Sequence, residues 1–469
     1  MPPKSKQRKE VPTRQPDLRD AVIQAGDFVL VQIPSGDITS VKVDPNTTAT
    51  IKKFGSFHAN ELIGQKFGNA YEIQGKKLKA LPPRTLQEVE DTEATNELIN
   101  DGEFVQPLTI TEIQALKEAG AHATDIIKKQ IELHSNYSLK TEYSKEKYKK
   151  RKEAKYFRTF TTIAPTLSNV CEYWFSKDQA RIRDIRVDTL SQLLNLANVR
   201  PGGRYIVVDD ASGLVVSAML ERMGGEGRII TIHDTESPPP YPVMTNMNFS
   251  PETTSILSSL NWATADEDYT PILPPTELDT TDSKSERQKS RLNKRKAVTN
   301  QLYSTRRELF DGEFHGLVLA TQYDPWSIIE KFAQYLGGSA NLVVYSPHPQ
   351  ILADLQTKLR TIPEWLSPSL TESWLRRYQV LPGRTHPLMN MSGSGGYLLH
   401  AIRVYDDPEA SYTQLYRHRS KKTKTDTEGS CTPAVGDTST PLVDLEGGNH
   451  SSEVDEMETT EDVILSSTV

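Results

Sequence analysis

The sequence predicts an α/β protein: a core of buried parallel strands joined by helices, preceded by a small β-barrel-like domain. Three observations carry this expectation. Arg204–Asp209, Leu214–Met223 and Arg228–His233 read as apolar strand, helix and apolar strand, the βαβ unit of a parallel sheet. Gly316–Ala320, Trp326–Leu336 and Ala340–Tyr345 repeat that order further along. Between Phe28 and Ile73 the strand-like runs are short, and Gly26, Gly36, Gly55, Gly64, Gly68 and Gly75 punctuate them.

Each segment follows in order. Residues 1–20 are basic and polar and are expected to be disordered. Residues 21–80 form the β-barrel-like domain: Phe28–Ile33 and Ile38–Val43 flank a Pro34–Asp37 turn, with further strands near Thr48–Phe54 and Lys66–Ile73. Residues 81–158 join an acidic, proline-containing connector to a basic helical segment. Within it, Thr109 and Glu112 have the spacing of a capping box, and apolar residues on both sides of Gly120 predict two helices. The core occupies 159–234 and 306–415, with helices at Thr189–Asn198 and Gln350–Leu359 and a last strand at Tyr397–Val404. Residues 235–305, with Pro238–Pro240 and the basic run Lys284–Lys296, read as a disordered insertion. Residues 416–469 are expected to be a disordered acidic tail.

Composition narrows the class. The chain has 469 residues, enough for two or three domains with cores of their own. Its formal charge of −7 argues against nucleic-acid binding only if the charges are mixed, and they are not. From Thr425 onward there are eleven acids and no Lys or Arg, whereas Lys140–Arg158 holds nine bases and three acids. Two cysteines, Cys171 and Cys431, do not make a disulfide framework, and a reducing compartment is expected. No apolar run reaches the roughly 18 residues that span a bilayer, so no membrane association is expected. The basic start lacks the apolar stretch of a secretory signal.

A core of this kind is the frame of Rossmann-like methyltransferases, so the turn that would grip S-adenosylmethionine is the test of function. That turn needs an acid at the end of the first strand, then closely spaced glycines that let the backbone approach the ligand. Here the strand ends in Asp209-Asp-Ala-Ser-Gly-Leu-Val215. The acid is present, but of the glycines only Gly213 remains, with Ala211 and the stiff, β-branched Val215 in the flanking places. The second strand ends in His233 where a ribose-binding carboxylate is usual, although Asp234 adjoins it. Gly224–Gly227 follows a helix and suits its C-terminal stop. The expected core is therefore a degenerate Rossmann-like methyltransferase with no catalytic, cofactor-binding or metal-binding residues.

These residues also carry a family likeness. Asp188–Gln192, Leu196–Gly203, Gly213–Val216, Leu220–Gly225, Trp374–Pro387, Ser392–Leu399 and Lys140–Tyr148 together resemble the non-catalytic subunit of the tRNA (adenine-58-N1)-methyltransferase, over about Gly26 to Val404. The resemblance implies a β-rich N-terminal domain and a methyltransferase-like domain. It also implies a catalytic sister subunit that binds S-adenosylmethionine, a heterotetramer with two of each subunit, tRNA as the shared substrate, and a nuclear location. The sister carries a catalytic Asp in a D-x-P-x-P-W motif; aligning that motif on Pro325-Trp326 puts Thr321 in the place of the Asp. Two other functions stay open: an active S-adenosylmethionine-dependent RNA methyltransferase, and an RNA-binding protein associated with translation initiation.

RNA contacts are expected in three places. The first is Lys147, Tyr148, Lys149, Lys150, Arg151, Lys152, Lys155 and Tyr156, where cations for phosphate interleave with aromatics for bases. The second is Lys177, Arg181 and Arg183, unless these pair with Asp178, Asp184 and Asp188. The third is Arg384, His386 and Ser392-Gly393-Ser394-Gly395, whose amides could cradle a phosphate, although a turn before the last strand explains the glycines equally well. The likeness adds the acidic connector Asn96–Gln106 as a substrate contact. The run Arg287–Lys296 has three readings: an RNA contact, a nuclear import signal or a solvated linker.

Overall fold

The computed structural model describes residues 21–82, 109–118, 123–134, 137, 140, 142–270, 286–381 and 384–405. The expectations for 1–20, the connector Asn96–Gln106, Cys431 and the acidic tail lie outside the described residues, as do the side chains of Lys150, Tyr156 and Arg384.

The N-terminal strands are β1 (Phe28–Gln32), β2 (Ile38–Lys42), β3 (Thr48–Ile51), β4 (Gly55–His58), β5 (Ala70–Gln74) and β6 (Lys77–Leu81). Three helices follow: α1 (Ile110–Glu118), α2 (Ala123–Glu132) and α3 (Glu142–Tyr156). Helix α1 starts as its spacing predicts: the Thr109 amide donates to Glu112 Oε2 at 2.9 Å and the Glu112 amide to Thr109 Oγ1 at 3.3 Å. Strand β7 (Thr159–Ile163) then returns to the first domain.

The expected barrel is not closed. The five strands run β2-β1-β7-β5-β6 in an open antiparallel sheet, and β3 and β4 pair only with each other. Two layers suffice to bury a core here: Phe57 stacks on Phe160 with centroids 5.3 Å apart, and Val29, Val31, Ile51 and Leu62 surround them. Because β7 sits between β1 and β5, residues 159–163 belong to this domain and not to the core to which their place in the chain assigned them.

The second domain holds α4 (Leu167–Lys177), α5 (Val187–Leu196), β8 (Arg204–Asp209), α6 (Leu214–Met223), β9 (Arg228–His233), α7 (Pro242–Asn246), α8 (Pro251–Thr254), β10 (Leu257–Asn261) and α9 (Glu286–Phe310). It continues through β11 (Phe314–Ala320), α10 (Pro325–Phe332), β12 (Leu336–Ser346), α11 (Pro349–Leu359), β13 (Trp365–Glu372), β14 (Tyr378–Leu381), β15 (Arg384–Pro387) and β16 (Tyr397–Arg403). Seven of these strands form one sheet in the order β10-β9-β8-β11-β12-β16-β13, in which only β16 runs against the rest. The alternation along β8 explains its all-apolar composition. Tyr205 and Val207 face one helical layer, with α4, α5 and α6; Ile206 and Val208 face the other, with α10 and α11. Gly224, in the left-handed region at φ +61°, ends α6 with its amide on the Leu220 carbonyl.

The expected insertion at 235–305 is overturned wherever it is described. It supplies α7, α8, the edge strand β10 and most of α9. Its serines hid β10: Ser258 is buried although polar, because a parallel edge strand still packs on both faces.

Candidate functional site

In an open α/β sheet, ligands bind at the strand C-termini where the chain order reverses. Here that point lies between β8 and β11, and the chain's own groups fill it. Asp209 Oδ1 and Oδ2 accept the amides of Ala211 at 2.8 Å and Val216 at 2.9 Å. Burial raises its carboxyl to about 6, against the lowering effect of those amides. Next to it, Asp210 Oδ2 accepts the Thr321 hydroxyl at 2.8 Å and the Gln322 amide at 3.0 Å, lacing β8 to β11 across the crevice.

A residue that the sequence reading missed packs onto the turn between β8 and α6. Gly213 is held at φ +82°, and a Cβ placed on it would lie 2.6 Å from the Tyr241 ring. That ring, buried at 4 % exposure, covers the one surviving glycine. Ala211 and Val215, singled out from the sequence as the obstruction, are wholly buried in the helical layer behind the turn. A signal for Tyr241 is present in the sequence, since Pro240 and Pro242 bracket it, but the Pro238–Pro240 run reads there as part of an insertion.

The second strand's end is engaged too. His233 Nδ1 lies 3.1 Å from the Thr235 hydroxyl, and burial holds its imidazole below the usual value. Asp234 Oδ2 accepts the Tyr323 hydroxyl at 2.8 Å. Asp324, beside the Pro-Trp pair, caps α10 by accepting the Ser327 amide at 3.2 Å. At the Gly213 turn an aromatic ring therefore stands on the glycine, and the neighbouring carboxylates are tied to the protein. Among the described residues no three His, Cys, Asp or Glu side chains gather to hold a metal ion, and no helix is long and apolar enough to cross a membrane.

The basic candidates are distributed unevenly. On α3, Lys147, Lys149, Arg151 and Lys155 are exposed. Tyr148 is not a free stacking platform: it meets His134 at 5.1 Å and Tyr137 at 5.8 Å, with the ammonium groups of Lys140 and Lys152 5.2 and 5.0 Å from its centroid. Burial, then the charges of Lys155 and Arg151, lowers the Lys152 ammonium.

The second and third candidates partly converge. Lys177 and Ser392 line one cleft of about 910 Å³ between the β1–β2 turn, α4 and the loop after β15, together with Lys52, Phe175 and Arg377. Lys177 lies 4.5 Å from the Trp174 ring centroid and donates to the Tyr173 hydroxyl at 2.8 Å. Arg181 lies 5.5 Å from the same ring centroid. Arg183 lines a separate, smaller cavity of about 270 Å³ at the ends of β11 and β12. Asp188 binds Arg186 at 2.6 Å, not these cations. The glycine loop packs inward: a Cβ on Gly395 would lie 2.5 Å from Thr189 Oγ1, and one on Gly396, at φ +85°, 2.4 Å from Tyr345. Close approach to the core accounts for those two glycines; Gly393 stands open. His386 is exposed on the β14–β15 hairpin, its Nδ1 2.6 Å from the Pro387 carbonyl.

A seven-stranded, doubly wound sheet with a tyrosine ring packed on the glycine of its first strand–helix turn defines a class: a protein of Rossmann-like, methyltransferase-like fold. The chain belongs to the Gcd10p family, whose model matches residues 22–298. Its relatives include proteins named "tRNA (adenine(58)-N(1))-methyltransferase non-catalytic subunit TRM6". That of Kluyveromyces lactis is 32% identical, over 87% of this chain and 92% of its own. Those of Debaryomyces hansenii and Mus musculus are 30% and 28% identical, over 82% and 84% of this chain and 87% and 90% of theirs. The solved tRNA (m1A58) methyltransferase TrmI of Aquifex aeolicus aligns with 82% of this chain and 100% of its own at a TM-score of 0.42 and 12% identity.

Proposed function

We propose that this chain is the tRNA-holding, non-catalytic subunit of the complex that forms N1-methyladenosine at position 58 of tRNA. The observation that carries the reading is the Tyr241 ring on Gly213. Without room for the methyl donor, chemistry falls to a sister subunit that binds S-adenosylmethionine. Titration calorimetry of S-adenosylmethionine tests this: heat is expected from the co-purified complex and none from the isolated chain. Micromolar binding by the isolated chain would overturn it.

RNA binding is supported by the exposed cations of α3 and by the cleft lined by Lys52 and Lys177. Pairing with the sister is supported by the β14–β15 region, where Trp374, Val380 and Met389 are 81%, 74% and 70% exposed. Apolar side chains so bare in and beside one hairpin are the kind of surface that a partner covers. We assign this surface to the catalytic sister, in an assembly with two of each subunit, acting in the nucleus.

A further inference from the structure

Helix α9 contains the basic run that the cleft does not use. The run is helical, which removes the reading of a solvated linker. The end of α9 is fixed to the sheet. Arg306 donates to the carbonyls of Thr264, of Asp266 at 2.8 Å and of Tyr269 at 3.0 Å, and Glu308 pairs with Arg228 at 2.7 Å. Leu302, Thr305 and Leu309 form the face that seats it.

The seat stops one turn earlier than Leu302. Val298, on the same face, is 67% exposed. From Glu286 to Ser304 no described residue is buried, a length of about 28 Å at 1.5 Å per residue. Along this overhang Arg287, Arg291, Lys294 and Arg295 stand at i, i+4, i+7 and i+8, one face of a helix, and all four are exposed. At 100° per residue that face is the continuation of the one carrying Val298, Leu302, Thr305 and Leu309. Four of the six bases between Arg287 and Lys296 thus share one fully exposed face in line with the seat, Lys289 and Lys296 lie on the opposite side, and Glu286 is the only acid along the overhang.

We propose that α9 is a rigid arm whose exposed face of Arg287, Arg291, Lys294 and Arg295 binds the phosphate backbone of RNA. The proposal rests on the reading that the chain holds tRNA, and it adds a contact outside the α3 and cleft residues. Charge complementarity and the fixed helix favour RNA over a protein receptor for the run.

The test uses the full chain with its catalytic sister and an unmodified tRNA transcript, with binding followed by fluorescence anisotropy across a salt series. Replacing Arg287, Arg291, Lys294 and Arg295 with Gln should weaken binding about tenfold near 0.1 M salt. The slope of log affinity against log salt should become shallower by about 3, as expected for four lost phosphate contacts. Val298→Pro keeps every charge but breaks the helix, and it should weaken binding several-fold. Unchanged affinity and slope in both variants, with binding still lost on Lys149→Glu and Lys177→Glu, would overturn the arm and leave the tRNA-holding reading standing. Unchanged affinity with lost nuclear accumulation would give the run to a protein receptor and overturn the arm as well. Failure of the unsubstituted complex to bind tRNA would overturn both.

Discussion

At the scale of single residues the molecule is most specific at Tyr241 and Gly213. Tyr241 is held at φ +40° between two prolines, and its ring packs directly on the backbone of Gly213. Removing a buried aromatic ring costs about 3 kcal/mol, so Tyr241→Ala should lower unfolding stability by that order in urea titrations. Gly213→Ala should cost about 2–3 kcal/mol in the parent chain, through the clash with the ring and the left-handed backbone. In a Tyr241→Gly background, which removes the ring and the Cβ that would also lie 2.6 Å away, only the backbone part, about 1 kcal/mol, should remain. Additive losses in that double-mutant cycle would separate the two residues. Asp209 gives a pH prediction. Its carboxyl is raised from 3.8 to about 6, so the folded form binds the proton more tightly than the unfolded one. That contribution is full at low pH and is lost as pH rises from about 4 through about 6, by roughly 2–3 kcal/mol. Asp209→Asn should remove this slope from stability measured between pH 4 and pH 7.

At the scale of elements, the sequence was readable where pattern and burial agree. The strands β8, β9, β11 and β12 are apolar on both faces and stood out, as did the capping box of α1. Strand β7 was misassigned because its partners β1 and β5 lie about 80 or more residues earlier, and no local pattern reports such a pairing. Strands β13, β14 and β15 escaped notice because much of their surface is bare, so little alternation is left to detect. Bareness also makes the hairpin separable from folding. Trp374→Ala with Val380→Asp should abolish co-purification with the sister subunit yet shift the isolated chain's stability by no more than about 0.5 kcal/mol. A loss of stability instead would mean the hairpin is part of the fold. The expected RNA cations on α3 can be tested alike: Lys147, Lys149 and Arg151 to Glu should weaken tRNA binding and flatten its salt dependence, with helical content by circular dichroism unchanged.

For the whole molecule, the segment after β9 matters beyond the plug. Asn248 donates to the Phe28 carbonyl at 2.9 Å and accepts its amide at 2.8 Å; Asn246 donates to Ser40 at 3.0 Å and accepts from Trp174 Nε1 at 3.0 Å. These bonds hold the N-terminal sheet against α4, where the cleft lies. Asn246→Ala with Asn248→Ala should speed amide exchange in β1 and β2 while β8 and β11 stay protected, and should weaken tRNA binding several-fold. No sequence pattern announced this, because both asparagines act across more than 200 residues of chain. Net charge was misleading at the same scale, since an acidic total conceals basic helices. Tyr241 and the two asparagines sit within eight positions of one another, so occlusion and clamping are mechanically one part. Moving that ring means disturbing the very segment that fastens the front end, so on the reading proposed above, restoring glycines alone would not reopen the turn.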